Sequence, residues 1–271
     1  MNDQTDTHIA DKRRIAELEQ EVARLNRTIA ENERSYRLTM GRYVTTEIME
    51  QLRSSSNAVV TGERREVTMM FTDLRNSTEL SELMEPEAYI RLLNHYLKDM
   101  IFIIDGWRGN ILEFVGDAIV AVFGAPQHNP DAASAAIYSA VAMQRRMARV
   151  NEWNHAQGFP TIQMGIGIHT GEAIVGCIGS EARMKYDVIG RNMNLASRVE
   201  GYTQGGQILV TDETLQAAGD EVVVRESGSR LVSPKGVRDI IRIHDVIGMG
   251  GSGCREPIST NLCRDGASRD V

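Results

Sequence analysis

The stretch Val-Thr-Met-Met-Phe-Thr-Asp-Leu, residues 67–74, indicates how this chain folds. Its apolar and β-branched residues are typical of a buried strand, and Asp73 comes where that strand ends. A second stretch, Phe-Val-Gly-Asp-Ala-Ile-Val-Ala-Val-Phe-Gly at 114–124, predicts a hairpin that turns at Gly116 and Asp117. A lone aspartate in a turn is usually only a turn former. Two such aspartates at strand ends, however, are free to bind a ligand outside the core.

Helices and strands alternate around these two stretches. The predicted elements are a strand at 67–71, a helix at 86–104, a hairpin at 110–123, a helix at 131–154, strands at 161–168 and 173–178, a helix at 193–202, and strands at 207–211 and 239–246. This interleaving predicts an α/β (α+β) fold with a largely antiparallel sheet. The methionines at 69 and 70 are expected in the core.

Composition excludes several classes of protein. The chain has 271 residues, 42% hydrophobic and 25% charged, which is typical of one sizeable globular domain with extensions. No apolar run approaches the ~20 residues of a membrane span. The polar first fifteen residues lack the apolar region of a secretory signal, so a cytoplasmic location is expected. A net charge of −7 argues against a nucleic-acid-binding protein. Cys177, Cys254 and Cys263 have no ligand-like spacing, and no disulfide framework is expected.

The N-terminal region has a different pattern. Its apolar residues recur at alternating spacings of three and four: Ile15, Leu18, Val22, Leu25 and Ile29, followed by Tyr36. This predicts a parallel coiled coil of about three heptads, with a single surface helix as the alternative. A further helix is expected at 42–52. The predicted organisation is coiled-coil and signal-transducing helices at 1–53, a linker at 54–63, a globular domain at 64–247 and a disordered tail at 248–271.

A second polar cluster lies in the globular domain, in Asp-Val-Ile-Gly-Arg-Asn-Met-Asn-Leu-Ala-Ser-Arg at 187–198. Asn194 and Arg198 are four residues apart, which places both on one face if the segment is helical. Carboxylates that hold metal ions and a guanidinium that stabilises an oxyanion are what phosphoryl chemistry needs. The two clusters together therefore predict an enzyme that acts on a phosphate compound.

Four motifs carry a family resemblance: Thr-Met-Met-Phe-Thr-Asp-Leu-Arg-Asn-Ser-Thr at 68–78, Phe-Val-Gly-Asp-Ala at 114–118, Gly-Ile-Gly-Ile-His-Thr-Gly-Glu at 165–172, and the 187–198 cluster. In this order they resemble the catalytic domain of class III adenylyl and guanylyl cyclases. The resemblance implies a ferredoxin-like core that works as a head-to-tail homodimer. It implies conversion of a nucleoside triphosphate to the 3′,5′-cyclic monophosphate and pyrophosphate. The N-terminal helices would then transmit a signal from an upstream sensor.

The resemblance also implies roles for individual residues. Asp73 and Asp117 would hold two Mg²⁺ or Mn²⁺ ions, with the carbonyl of Leu74 as an additional ligand. Arg198 would stabilise charge on the α-phosphate, and Asn194 would orient the ribose. Further phosphate contacts would come from Lys235 and from the turn formed by Arg75, Asn76, Ser77 and Thr78, whose backbone N–H groups precede a helix. No residue is identified as a dedicated general base.

The purine-reading positions depart from the usual patterns of the family. The adenylyl type pairs a lysine with an aspartate, and the guanylyl type pairs a glutamate with a cysteine, whereas this chain has Glu113 and Asp187, followed by Val188. If both carboxylates are ionised, guanine O6 or adenine N1 would face a second acceptor, which is unfavourable. The pairing becomes acceptable if one of the two carboxylates is protonated or if a water molecule lies between it and the base. ATP is favoured because Asp187 is present, and GTP is the alternative.

Two other functions predict residues that this chain does not match. A catalytically silent, cyclase-like regulatory dimer predicts the loss of a metal aspartate or of Arg198, and neither is lost. A diguanylate cyclase predicts Gly-Gly-Asp/Glu-Glu-Phe at the hairpin, where this chain has Phe-Val-Gly-Asp-Ala. His169 and Glu172 follow a predicted strand at a turn and are expected to be loop or structural residues, because they lack a partner at metal-ligand spacing.

Overall fold

The computed structural model describes residues 3–40, 48, 62–180, 183–235 and 240–250, and the chain divides into two compact units, Met1–Ser56 and Asn57–Val271. In the first unit, helix α1 spans Asp3–Met40. The six apolar side chains of the predicted coiled-coil seam are 48–56% exposed on this helix. Such exposure leaves them available to a partner helix, and the coiled coil itself stays a prediction. None of the helices in the described ranges is long and apolar enough to cross a membrane.

Parts of the sequence prediction lie outside the described residues. They are residues 54–61 of the linker, the tail from residue 251, and the helix expected at 42–52, of which only Ile48 is described, as helical. The domain boundaries likewise stay a prediction.

The second unit alternates helices and strands. In chain order they are β1 (Glu63–Leu74), α2 (Ser77–Leu83), α3 (Pro86–Gly106), β2 (Asn110–Val115), β3 (Ala118–Phe123), α4 (Ala132–Ala156), β4 (Met164–Ser180), β5 (Arg183–Ile189), α5 (Arg191–Glu200), β6 (Ile208–Thr211), α6 (Asp212–Ala218), β7 (Val222–Val232) and β8 (Ile241–Met249). Pro86 begins α3 in its first turn, where the missing N–H of proline leaves no helical hydrogen bond unmade. The long helices and the β2–β3 hairpin lie where the sequence predicted them.

One eight-stranded sheet joins all the strands in the order β2-β3-β1-β4-β6-β8-β7, with β5 paired to β4. Strands β4 and β6 run parallel, and the other described pairs are antiparallel. The predicted mixed fold with a mostly antiparallel sheet is confirmed.

Strand β4 corrects the sequence prediction of two strands separated by a turn. It pairs with β1 without interruption from Glu63↔Val175 to Leu74↔Met164, and this register leaves no room for a turn. His169 is therefore a buried strand residue, 2% exposed, and its Nδ1 lies 2.8 Å from Thr211 Oγ1. Glu172 lies on the same strand, where its carboxylate pairs with Arg64 at 2.6 Å. Neither residue lies in a loop, because both are on β4.

Alternation along β4 determines what packs on each face of the sheet. Met164, Ile166 and Ile168 point into the main core, which helices α3 and α4 cover. Gly165 and Gly167 face the opposite side, where α5 packs. A Cβ on Gly167 would lie 2.7 Å from Glu200 Cβ and closer still to the Glu200 backbone. Since even a methyl group does not fit, the two glycines bring α5 against the sheet.

Candidate active site

The paired aspartates meet at one end of the sheet because of strand register. Thr72 on β1 pairs with Ile119 on β3, so the last two residues of β1, Asp73 and Leu74, lie beside the hairpin turn. The Leu74 N–H donates a 3.0 Å hydrogen bond to Asp117 Oδ2. Gly116, at φ 65°, adopts the left-handed conformation that the tight turn requires. The predicted hairpin is present, and its turn brings Asp117 beside Leu74.

Asp73 has more neighbouring carboxylates than cations. Burial, together with the hydrogen bond and negative charge of Asp117 and the charge of Glu200, raises the pKa of Asp73 to about 7, although Arg75 opposes the shift. Arg75 Nη2 lies 3.2 Å from Asp73 Oδ2 and also pairs with Glu200 on α5. One guanidinium therefore pairs with two carboxylates, and the carboxylate of Asp117 lies beside Asp73 as a third. Such a site carries excess negative charge, which favours a bound cation.

The turn after β1 is only partly available for phosphate contacts. The Arg75 N–H donates to the Gln163 carbonyl at 2.8 Å, so it is engaged within the fold. Asn76 takes a left-handed conformation, at φ 59° and ψ 26°, and precedes α2. Among the described side chains, Arg75 is held by the carboxylates of Asp73 and Glu200. Of the four residues expected to donate backbone N–H groups to the phosphates, Asn76, Ser77 and Thr78 therefore remain candidates.

Helix α5 presents its two predicted catalytic residues to solvent. Asn194 and Arg198 are exposed, whereas Leu195, Ala196 and Val199 are buried. The expected helix is present, and four-residue spacing places Asn194 and Arg198 on the same face. Glu200 lies two positions beyond Arg198, about 200° around the helix. Because Glu200 contacts Arg75, Arg198 faces away from the aspartates of its own chain.

The two predicted purine-reading carboxylates come together through a lysine that the sequence did not identify as a candidate. Lys185 Nζ lies 2.8 Å from Glu113 Oε2 and 3.2 Å from Asp187 Oδ2. Val188 is different: its side chain is buried, and its N–H donates to Asp187 Oδ1 at 2.9 Å. Val188 thus supports Asp187 and has no exposed side chain to offer a ligand.

Lys235 is exposed at the end of the described segment that contains β7, just before residues 236–239, which lie outside the described residues. No described contact places Lys235 beside the other candidate residues, so its phosphate role stays a prediction.

Sequence reasoning missed two residues of this site, Lys185 and Glu200. The signal for Lys185 was available in Lys-Tyr-Asp at 185–187, because alternate residues of a strand share a face. Recognising it required β5 to be predicted as a strand. Glu200 had no local signal, because its partner Arg75 lies 125 positions earlier in the chain.

Comparison with known proteins supports this description. Residues 59–240 match the adenylate and guanylate cyclase catalytic domain model. Adenylate cyclase 1 of Rhizobium meliloti is 32% identical over 188 residues, covering 69% of this chain and 28% of that protein. The adenylate cyclase of Anabaena cylindrica is 39% identical over 158 residues, covering 56% of this chain and 30% of that protein.

Solved structures show the same fold. The guanylyl cyclase Cya2 superposes with a TM-score of 0.69 at 44% identity, covering 73% of this chain and 99% of Cya2. The adenylyl cyclase CyaB from P. aeruginosa superposes with a TM-score of 0.66 at 36% identity, covering 70% of this chain and 97% of CyaB. The chain spans less than a third of the two curated relatives named above. Since the family model covers most of the chain, the chain belongs to the adenylate and guanylate cyclase catalytic domain family.

Proposed function

We propose that this chain is a nucleotidyl cyclase that converts a purine nucleoside triphosphate to its 3′,5′-cyclic monophosphate and pyrophosphate. The 3′ oxygen bonds to the α-phosphorus, the bond from that phosphorus to the bridging β-phosphate oxygen breaks, and the 3′ proton passes to solvent. The observation that carries the proposal is the meeting of Asp73, Leu74 and Asp117 at the end of β1. ATP is the favoured substrate because Asp187 is present, and GTP is the alternative because Glu113 is present.

Catalytic domains of this family use divalent metal ions, and the donor set here fits Mg²⁺ or Mn²⁺. Hard carboxylate oxygens suit these ions. Burial first, and then the carboxylates of Asp117 and Glu200, raise the pKa of Asp73, and a bound cation would oppose this shift. Within the described residues, no group of three or more His, Cys, Asp or Glu could hold an ion. Further ligands would come from the Leu74 carbonyl, the triphosphate and water. When bound, two such ions would supply Lewis-acid stabilisation of the reacting oxygens.

The orientation of α5 supports a site shared between two protomers. Glu200 is held on the inner side of the helix by Arg75, which leaves Arg198 and Asn194 facing outward from their own chain. A second copy would place them opposite its partner's Asp73 and Asp117. There Arg198 would stabilise charge on the α-phosphate and Asn194 would orient the ribose. Lys235 and the backbone N–H groups of residues 76–78 would hold the remaining phosphates.

Helix α1 supports a homodimer held together in part by a coiled coil. Its exposed seam residues cannot be buried within the helix itself, and a parallel partner would cover them. A change of register in that coiled coil, set by an upstream sensor, would then alter the catalytic interface.

The test is product formation by the purified full chain with Mn²⁺ and either ATP or GTP. Cyclic AMP or cyclic GMP is expected, and its loss in a folded Asp117→Ala variant would tie the reaction to this site. No product from either nucleotide, from a folded dimer that binds nucleotide, would refute the proposal and favour a silent regulatory dimer.

A further inference from the structure

Arg75 links the end of β1 to the end of helix α5. Its Nη2 lies 3.2 Å from Asp73 Oδ2 and 3.3 Å from the Asp73 carbonyl oxygen, and the same nitrogen pairs with Glu200 Oε1. Its Nη1 donates to the carbonyl of Thr203, just beyond the helix, at 3.4 Å. One side chain therefore joins a predicted metal ligand to the helix that carries the two predicted catalytic residues.

The donors of Arg75 cannot satisfy all of its acceptors at once. Nη2 has two N–H groups but faces three oxygens, two of Asp73 and one of Glu200. Glu200 is the more buried of the two carboxylates, with 13% of its side chain exposed against 39% for Asp73. Removing the partner of a buried charge costs more than removing that of an exposed one. The contact with Asp73 is therefore the one that Arg75 gives up more easily.

Packing limits where the Arg75 guanidinium can lie. A Cβ on Gly165 would lie 3.2 Å from Arg75 Cζ, so the guanidinium packs directly on this glycine of β4. The Arg75 N–H donates to the Gln163 carbonyl at 2.8 Å, which fixes the start of the side chain. The guanidinium therefore has only a short range of movement. Any shift within that range changes its contact with Glu200, the last residue of α5.

A divalent cation would compete with Arg75 for one carboxylate. Asp73 would bind the cation together with Asp117, whose Oδ2 accepts from the Leu74 N–H 3.0 Å away. Such an ion carries two positive charges and prefers carboxylate oxygens. It therefore compensates the charge of Asp73 more fully than an N–H group that Arg75 shares with a second carboxylate.

We propose that Arg75 is a positioning residue that couples the cation site at Asp73 to α5, an inference that rests on the proposed function. Without a cation, Arg75 neutralises Asp73 and divides its donors between Asp73 and Glu200. With a cation at Asp73, Arg75 pairs with Glu200 and Thr203 alone and tightens the end of α5. In the shared-site dimer this helix carries Arg198 to the partner's nucleotide. Cation binding at one site therefore prepares the second site, and the coupling is reciprocal.

Amide hydrogen exchange of the purified full chain tests this coupling without catalysis. Mn²⁺ alone is the probe, and exchange is followed by mass spectrometry with and without the ion. Backbone hydrogen bonds hold the amides of residues 201–203, which directly follow α5. In the wild-type chain, Mn²⁺ should slow their exchange by about two- to fivefold, the effect of strengthening a partly exposed ion pair. Arg75→Gln should show no slowing, and equal slowing in both chains would overturn the proposal.

Two further variants make the exchange experiment specific. Glu200→Gln should also lose the slowing, and it gives a second test of the link if Arg75→Gln fails to fold. Arg146→Gln is the matched control, because Arg146 also pairs with a carboxylate, Asp99 at 3.8 Å, and is 30% exposed against 23% for Arg75. It lies on α4, on the opposite face of the sheet from α5. This variant should keep the slowing, and its loss there would assign the effect to net charge and overturn the proposal.

Mn²⁺ affinity, measured from the electron paramagnetic resonance signal of the free ion, separates competition from a fixed charge. Arg75→Gln should bind Mn²⁺ about two- to fivefold more tightly than the wild type, because the competitor for Asp73 is gone. Glu200→Gln should bind it more weakly, because Arg75 then pairs with Asp73 alone. In the double variant, the Glu200 change should lose most of its effect. Additive changes, unchanged affinity in Arg75→Gln, or a folded wild-type chain that binds no Mn²⁺ would overturn the proposal.

Failure of this inference can be distinguished from failure of the proposed function. Slowed exchange that depends on Arg75, without cyclic product from either nucleotide, would refute the cyclase activity alone. Cyclic product without that dependence would refute the role of Arg75 alone.

Discussion

Replacing Gly167 with alanine should damage activity more than stability, because this glycine sets the distance between α5 and the sheet. The new Cβ would lie 2.4 Å from Glu200 Cα, whereas carbon atoms pack at about 3.5–4.0 Å. The helix must therefore move outward by about 1.1 Å or more. Small-to-large changes in packed regions typically cost about 1–3 kcal/mol of unfolding free energy. A displacement of about 1 Å in an active site can cost about a hundredfold in rate.

The assay pairs urea unfolding with initial rates of cyclic nucleotide formation. We expect Gly167→Ala to lose about 1–3 kcal/mol of stability and about a hundredfold in kcat/KM, because Arg198 and Asn194 move with α5. Gly248→Ala is the matched control: it also lies in a strand, and its new Cβ would meet nothing within 4 Å. A Gly167→Ala protein with wild-type stability and rate would falsify the close-packing argument.

Three further predictions concern the ion pairs, the buried histidine and the dimer. Glu200→Gln should lower the unfolding free energy by about 1–3 kcal/mol, because the guanidinium of Arg75 loses a charged acceptor; an unchanged urea midpoint would show that the pair is not stabilising. Burial lowers the pKa of His169, so the unfolded chain binds more protons and stability should fall as pH drops below about 6.5. His169→Gln should flatten that fall between pH 7.5 and 5.5, and an identical pH slope in both proteins would contradict the assignment. Asp73→Ala and Arg198→Ala proteins, each inactive alone, should recover activity when mixed if the site is shared; two folded variants that recover none would rule out a shared site.

Local patterns predicted the elements whose structure depends on nearby residues. The hairpin at Gly116 and Asp117 follows from turn chemistry, and the shared face of Asn194 and Arg198 follows from helical spacing. The mixed fold follows from the order of elements. Predicting these features requires no knowledge of which strands pair or which helices pack against the sheet.

Features set by distant pairing were not predictable in the same way. The motif at 165–172 contains glycines and polar residues that are typical of a turn, yet the ladder with β1 holds it in an extended strand. The partnership of Arg75 and Glu200 likewise depends on how α5 packs over β4. Tertiary contacts overrode local preference at these positions.

The separation of Arg75 and Glu200 also has a consequence for biosynthesis. The two residues are 125 positions apart, and chains are made at about 5–20 residues per second. A ribosome therefore needs about 6–25 s to add Glu200 after Arg75. For most of that interval β1 has its aspartate but lacks a complete β4, and the helix that carries Arg198 is added last. Nascent chains therefore complete the candidate site late in synthesis, after most of the sheet has been made.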